Sequence, residues 1–273
     1  MKRTPPERVK TKLRKEVGFR CPIPGCGSPY LEFHHFDPSF SVKKHHNVEG
    51  MIALCPEHHR QADGGAFTVS QLRRFKAEAL QNCISVAGKF QWMRNDLLIT
   101  GGTNVFYQSQ IVLAVDNQPL IWFDRDSEGN LLLNVKVDRI ASEPVLEIHN
   151  NSWLKRGEPI DLVCPPSGRS IHVRYQTGFS MSFAFSELQN VSDLHGSFLD
   201  LRDSDTIRWV ETWKELVTFP VTRLHFGLVV PNYFSVTDQG IVTTRTNMIA
   251  QRVFNMDNIV AFHFSTRKRT DEH

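Results

Sequence analysis

The 273-residue chain is short of several things, and each shortage removes a class of protein. No stretch approaches the ~18 consecutive apolar residues of a membrane-spanning helix. The opening Met1-Lys2-Arg3-Thr4-Pro5-Pro6 leads into charged residues instead of an apolar leader, so the expected location is cytoplasmic, with no membrane partner. Five cysteines are too few, and odd in number, for a secreted disulfide framework. With 40% hydrophobic and 22% charged residues, neither a collagen-like nor a disordered chain is possible. A strong excess of one charge is also missing, since the net value is +3. That figure averages two unlike parts. Residues 1–95 hold 16 Lys+Arg against 8 Asp+Glu, whereas residues 96–273 hold 16 against 21. Six of the 12 histidines and four of the five cysteines lie in the basic part.

Metal ligation accounts for those cysteines better than isolated packing does. Cys21-Pro-Ile-Pro-Gly-Cys26 sets two thiols within the spacing that lets one turn present both to a single tetrahedral ion. Leu54-Cys55-Pro56-Glu57-His58 follows as a Cys-x2-His. Together Cys21, Cys26, Cys55 and His58 make a Cys3His set, the kind expected of structural Zn2+. Cys83 and Cys164 have no partner pattern and are read as core residues.

Between and after these half-sites come Phe33-His34-His35-Phe36-Asp37, Lys43-Lys44-His45-His46-Asn47 and His59-Arg60-Gln61-Ala62-Asp63. The order Cys-x4-Cys, His-His, Asn, Leu-Cys-x2-His-His and a trailing Asp resembles the zinc-stapled HNH endonuclease family over about residues 14–65. The resemblance implies a ββα-metal finger in which a strand carries the His pair and a helix carries the last His. It implies His35 as general base, with His34 and His59 as ligands of a catalytic Mg2+, Mn2+ or other divalent ion. Asn47 would orient His35, or bind the metal or a phosphate. Many members of the family carry Cys where this chain has His58, and zinc accepts either donor. Adjacent helical residues point about 100° apart, so His58 and His59 must serve different ions; His58 is assigned to zinc.

The chemistry asks for such residues. Phosphodiester hydrolysis needs a base for the attacking water and a cation for the leaving oxygen. Histidine meets the first need because its ordinary pKa, ~6.5, lies near working pH. Successive strand residues face opposite ways, so His34 and His35 are expected to have different tasks. Asp63, one helical turn after His59, either holds that ring or is a solvated helix-end acid. His45 and His46 are read as polar loop residues.

Two flanking helices are predicted. Val9, Leu13 and Val17 recur at helical spacing after Pro5-Pro6, with Arg14 and Lys15 on the other face. Leu72, Phe75, Ala79 and Leu80 do the same after Thr68 or Ser70 as cap, beside Arg73, Arg74 and Lys76. DNA contact is expected through Lys43, Lys44, Arg60, Arg14 and Lys15.

From about Leu97 the period shortens to that of strands. Runs such as Val105–Val115, Ile171–Tyr175, Phe179–Phe185 and Leu224–Val230 are separated by turn signals at Asp126–Gly129, Pro165–Gly168 and Thr237–Gly240. An α+β chain is therefore expected: a nuclease-like domain over 1–95 and an all-β sandwich or barrel over 96–273, with Gly101-Gly102 marking the break. The acidic second part suits regulation, specificity or homo-oligomerisation better than a second duplex-binding face. Trp122, Trp153, Trp209 and Trp213 are expected as core or interface anchors. The function expected is a DNA endonuclease of restriction or anti-phage defence. The rivals are a non-catalytic zinc module that binds DNA or protein, and a nuclease activated by a small molecule sensed in the β domain.

Overall fold

A computed structural model describes residues 1–81, 85–101, 104–193, 215, 217–237, 240–243, 248–252 and 260–266. Cys83, Trp209 and Trp213 lie outside these residues. The chain is mixed α+β, with three α-helices among the described residues: α1 Glu7–Glu16, α2 Pro56–Asp63 and α3 Val69–Glu78. None of its helices there is long and apolar enough to cross a membrane. The strands are β1 Glu32–His35, β2 Met51–Leu54, β3 Ala87–Lys89, β4 Leu98–Gly101, β5 Asn104–Tyr107, β6 Ile111–Val115, β7 Gln118–Arg125, β8 Leu131–Val135 and β9 Glu147–His149. There follow β10 Ser152–Leu154, β11 Asp161–Val163, β12 Ser170–Arg174, β13 Ser180–Leu188, β14 Val221–Val230, β15 Phe234–Thr237, β16 Gly240–Thr243, β17 Met248–Arg252 and β18 Val260–Thr266.

The chain forms two compact units, and they are not separated by a single cut near residue 95. Residues 1–90 and 152–176 make the first, and 91–151 with 177–273 the second. Long-range pairing that no local pattern announces draws 152–176 back. β10 pairs antiparallel with β3, and Leu31 N–H donates to the Cys164 carbonyl at 3.3 Å. Trp153 packs so closely on Gly88 that a Cβ there would lie 2.4 Å from its ring.

In the first unit, β1 and β2 pair antiparallel, with His34 opposite Ile52 and His35 opposite Met51. All four residues of β2 are buried, because the α1 face of Val9 and Leu13 and the α3 face of Leu72 and Phe75 join the same core. Thr68 starts α3 through a capping box with Gln71, two reciprocal bonds that satisfy otherwise orphaned amides. Lys76 reaches inward from α3, donating to the Val48 and Met51 carbonyls at 2.6 and 2.9 Å and pairing with Glu16 at 3.0 Å. It ties both helices to β2, so its charge is spent inside the unit. α2 follows β2 directly, with Pro56 at its first turn where a missing N–H costs nothing.

The second unit is β-rich. One run of strands has the order β17-β18-β6-β7-β8-β9, with β18 parallel to β6 and antiparallel pairing at β17-β18, β6-β7, β7-β8 and β8-β9. The other follows β13-β14-β15-β16, and β4 runs parallel to β14 while pairing antiparallel with β5. Buried residues alternate along β14, as expected of a strand with one face on a core.

Candidate functional site

Two clusters of ligating side chains share α2, one through His58 and the other through His59 and Asp63. The first joins the turn after α1 to the start of α2. Cys26 Sγ lies 3.7 Å from Cys55 Sγ, and His58 Nδ1 lies 3.5 Å from Cys21 Sγ and 3.1 Å from Cys55 Sγ. A tetrahedral ion at ordinary Zn–S and Zn–N distances demands edges of about 3.8 Å between sulfurs and about 3.6 Å between sulfur and nitrogen. The four residues fit that polyhedron, and they can hold a metal ion such as zinc. Burial, then neighbouring thiols, push the Cys21 and Cys55 thiols up. A cation bound by the four residues would offset that rise and favour the thiolates.

The second cluster takes one residue pair from α2 and one strand face. Glu32 and His34 share a face of β1, and α2 lies across that face, presenting His59 and Asp63 one turn apart. His34 Nδ1 is 3.2 Å from Asp63 Oδ1, and His59 Nδ1 is 3.3 Å from Asp63 Oδ2 and 3.6 Å from Glu32 Oε2. His34 Nδ1 is buried without a hydrogen-bond partner despite that proximity. Donor atoms of His34, His59 and Asp63 all lie within 4.8 Å of one another. Burial first, then the His59 ring, hold His34 below its ordinary pKa against the pull of Asp63, which keeps the ring neutral and able to ligate.

His35 faces the other way, as strand alternation predicts. Its ring lies 4.8 Å from that of Phe40, 5.3 Å from His45 and 5.7 Å from His46. His35 Nε2 is 3.4 Å from His46 Nδ1, while His35 Nδ1 is buried and unpartnered. Burial, followed by His45 and His46, lowers its pKa to about 4. His45 is a strut: Nε2–H donates to the Pro38 carbonyl at 2.8 Å, and Nδ1 accepts the Asn47 N–H at 3.1 Å. Both ring nitrogens are thus engaged in holding the loop. A cleft of about 490 Å³ is bordered by His34, His35, Phe40, Asp63, Phe67 and Arg3. The two faces of β1 thus meet one open space.

The other expected residues fall unevenly. Asn47 is exposed, and its side-chain oxygen accepts Glu49 N–H at 3.3 Å, starting the short 3-10 turn Val48–Gly50. The loop folds back so that His46, read as a bystander, takes the place beside His35 that Asn47 was expected to fill. Lys43, Lys44, Arg60 and Lys15 are exposed. Arg14 is not available to a phosphate. Its side chain is 4% exposed and bonds Asp161 through Nε at 2.9 Å and Nη2 at 2.8 Å. Helical periodicity placed Arg14 outside, but β11 covers that side of α1. Arg3 and Glu32 were missed; for Glu32 the signal was available, since it sits two residues before His34 on a strand.

No family model, curated protein or solved structure matches this chain. What the site can do rests on its own geometry.

Proposed function

We propose that the protein is a metal-dependent endonuclease of the HNH type that hydrolyses phosphodiester bonds in DNA, its first unit built on a ββα-metal finger. The observation that supports this best is the convergence of His34, His59 and Asp63 on one edge of a cleft that His35 also borders. The donor set of two neutral imidazoles and a carboxylate suits a first-row divalent ion or magnesium. Such an ion, when bound, supplies Lewis acidity to the phosphate and its leaving oxygen.

The chain's own residues would do the remainder. In the tautomer whose Nε2–H donates to His46 Nδ1, the lone pair of His35 falls on Nδ1, the ring nitrogen with no hydrogen-bond partner. Nδ1 would take the proton of the attacking water. Its depressed pKa keeps it unprotonated at neutral pH, which makes the base available though mild. Arg3, on the cleft and 3.8 Å from Asp63, would meet a nonbridging phosphate oxygen. Lys43, Lys44, Arg60 and Lys15 would follow the backbone of the duplex. The Cys3His cluster would hold zinc and fix α2, and with it His59 and Asp63.

The decisive experiment compares wild type and His35→Ala on supercoiled plasmid with Mg2+ or Mn2+. Expected is loss of cleavage with unchanged circular dichroism and zinc content. Equal cleavage by both proteins would sink the proposal, and a wild type inert with every ion would favour a non-catalytic zinc module.

A further inference from the structure

The cleft of about 490 Å³ beside the candidate metal cluster has more in its lining than phosphate chemistry uses. His34, Asp63 and Arg3 are the polar groups that an ion and a phosphate would want, yet Phe36, Phe40, Phe67, Val69 and Leu72 border the same space. A sugar–phosphate backbone alone offers little to phenyl rings. Packing explains part of this lining, since Phe36 and Leu72 are buried in the core of the first unit and Phe67 packs against it.

Phe40 is of another kind. It is half-buried on the loop between β1 and β2, among exposed Ser39, Ser41, Val42, Lys43 and Lys44. Its ring meets histidines, at 4.8 Å and 55° from the His35 ring and at 6.1 Å and 19° from that of His46. The base of the loop is fixed, with His45 bonded to the Pro38 carbonyl at 2.8 Å and Asp37 paired with Arg73 of α3. Above it, the Val42 and Lys43 N–H groups close a turn on the Ser39 carbonyl at 3.0 and 3.1 Å. A hydrogen-bonded turn thus carries an aromatic ring to the cleft, between the candidate base and two exposed lysines.

We propose that the cleft receives an unpaired nucleobase of the DNA strand being cut, held against Phe40, so that the preferred substrate has an unpaired nucleotide beside the scissile phosphate. The inference rests on the endonuclease reading and names its substrate class. In a duplex each base is stacked inward, and only a base turned out of the stack reaches a pocket beside its own phosphate. An aromatic ring suits such a base whatever its identity, because every base has a π face. A volume of this size is in the range of small-molecule sites. Arg3, Lys43 and Lys44 would meet the neighbouring phosphates.

The test uses the full chain and fluorescein-labelled duplexes of one sequence that differ at a single site: fully paired, a bulged thymine, or a bulged abasic analogue. Binding is read by anisotropy without added Mg2+ or Mn2+, and cleavage on gels after Mn2+ is added. The thymine bulge is expected to bind about tenfold more tightly than the abasic bulge and to be cut faster than the paired duplex. Both bulges loosen the backbone, so their ratio isolates the base. Phe40→Leu should bring that ratio near one, and Phe40→Trp should keep it. A merely structural role for Phe40 would weaken all three duplexes alike and leave the ratio unchanged, which overturns the proposal. Equal binding of the two bulges by wild type overturns it too, whether or not Phe40→Leu folds. Cleavage of every duplex at one rate, with equal binding, removes the base pocket and leaves the nuclease. Base-dependent binding without cleavage of any duplex supports the pocket and removes the nuclease.

Discussion

Arg14 and Asp161 lie 147 positions apart in the chain and bury opposite charges against each other. Burial would raise the Asp161 pKa, but bonds and charge from Arg14, a bond from Thr11 and the charge of Arg174 outweigh it and hold the carboxyl low. The pair's contribution is therefore present above the ordinary carboxylate pKa of ~3.9 and is lost as pH falls through the depressed folded value. Arg14→Met leaves the buried acid with only the Thr11 bond and the more distant Arg174, and should cost about 3 kcal/mol at neutral pH by urea unfolding. The difference from wild type should shrink in acid, and adding Asp161→Leu should restore most of the loss. Arg3 makes the opposite case, an exposed cation over the cleft. Arg3→Gln should weaken DNA binding and reduce the slope of log affinity against log salt by about one, leaving stability unchanged. Residue identity showed which side chains bear chemistry, and spacing separated His58 from His59. It could not tell Arg14 from Lys15, because what decides between them is a strand far along the chain.

Among elements, the loop between β1 and β2 carries most of the unforeseen content. Gly50 closes it, its carbonyl accepting the Phe36 and Asp37 N–H groups at 2.9 and 3.2 Å. A Cβ on Gly50 would lie 1.9 Å from the Asp37 carbonyl oxygen and 3.0 Å from His45 Cε1. Gly50→Ala should therefore push the loop off β1 and cost about 1–3 kcal/mol, as overpacking does, measured by thermal unfolding. Cleavage should fall further than stability alone explains, since the same loop seats His45 and His46 beside His35. Helices α1 and α3 were legible because apolar residues recur at their spacing and a capping pair starts α3. The role of Asn47 was not, because whether an amide turns toward a catalytic ring or caps a turn depends on loop geometry that carries no periodic signal. β2 was visible only as a short apolar run, and its burial on both faces reflects helices packing from either side.

At the scale of the whole molecule, the Cys3His cluster belongs to the first unit and the larger share of the strands to the second. The Cys3His cluster joins Cys21 and Cys26 to α2, so an ion held there would stabilise the first unit by mass action. A strong chelator should lower one unfolding transition in calorimetry and leave a second, that of the β-rich unit, in place; added Zn2+ should restore the first. A single transition that chelator does not move would contradict this division. Strand content in the second half was readable from alternation, and so was the change of period near Leu97. The return of 152–176 to the first unit was not, since the short strands β10 to β12 have the same local pattern as those of the second unit.

That return has a consequence for the order in which the molecule can assemble. Every metal-binding and candidate catalytic residue named here has left the ribosome once residue 63 is exposed, yet the strand that pairs β3 and the acid that neutralises Arg14 come about a hundred residues later. At ordinary elongation rates the interval is on the order of ten seconds. During it the basic segment 1–95 is complete but lacks part of the first unit's framework, and a fragment ending at residue 95 would hold it permanently in that state. If the first unit cleaves DNA as proposed, that activity waits until residues 91–151 of the second unit have been made, since 152–176 follow them.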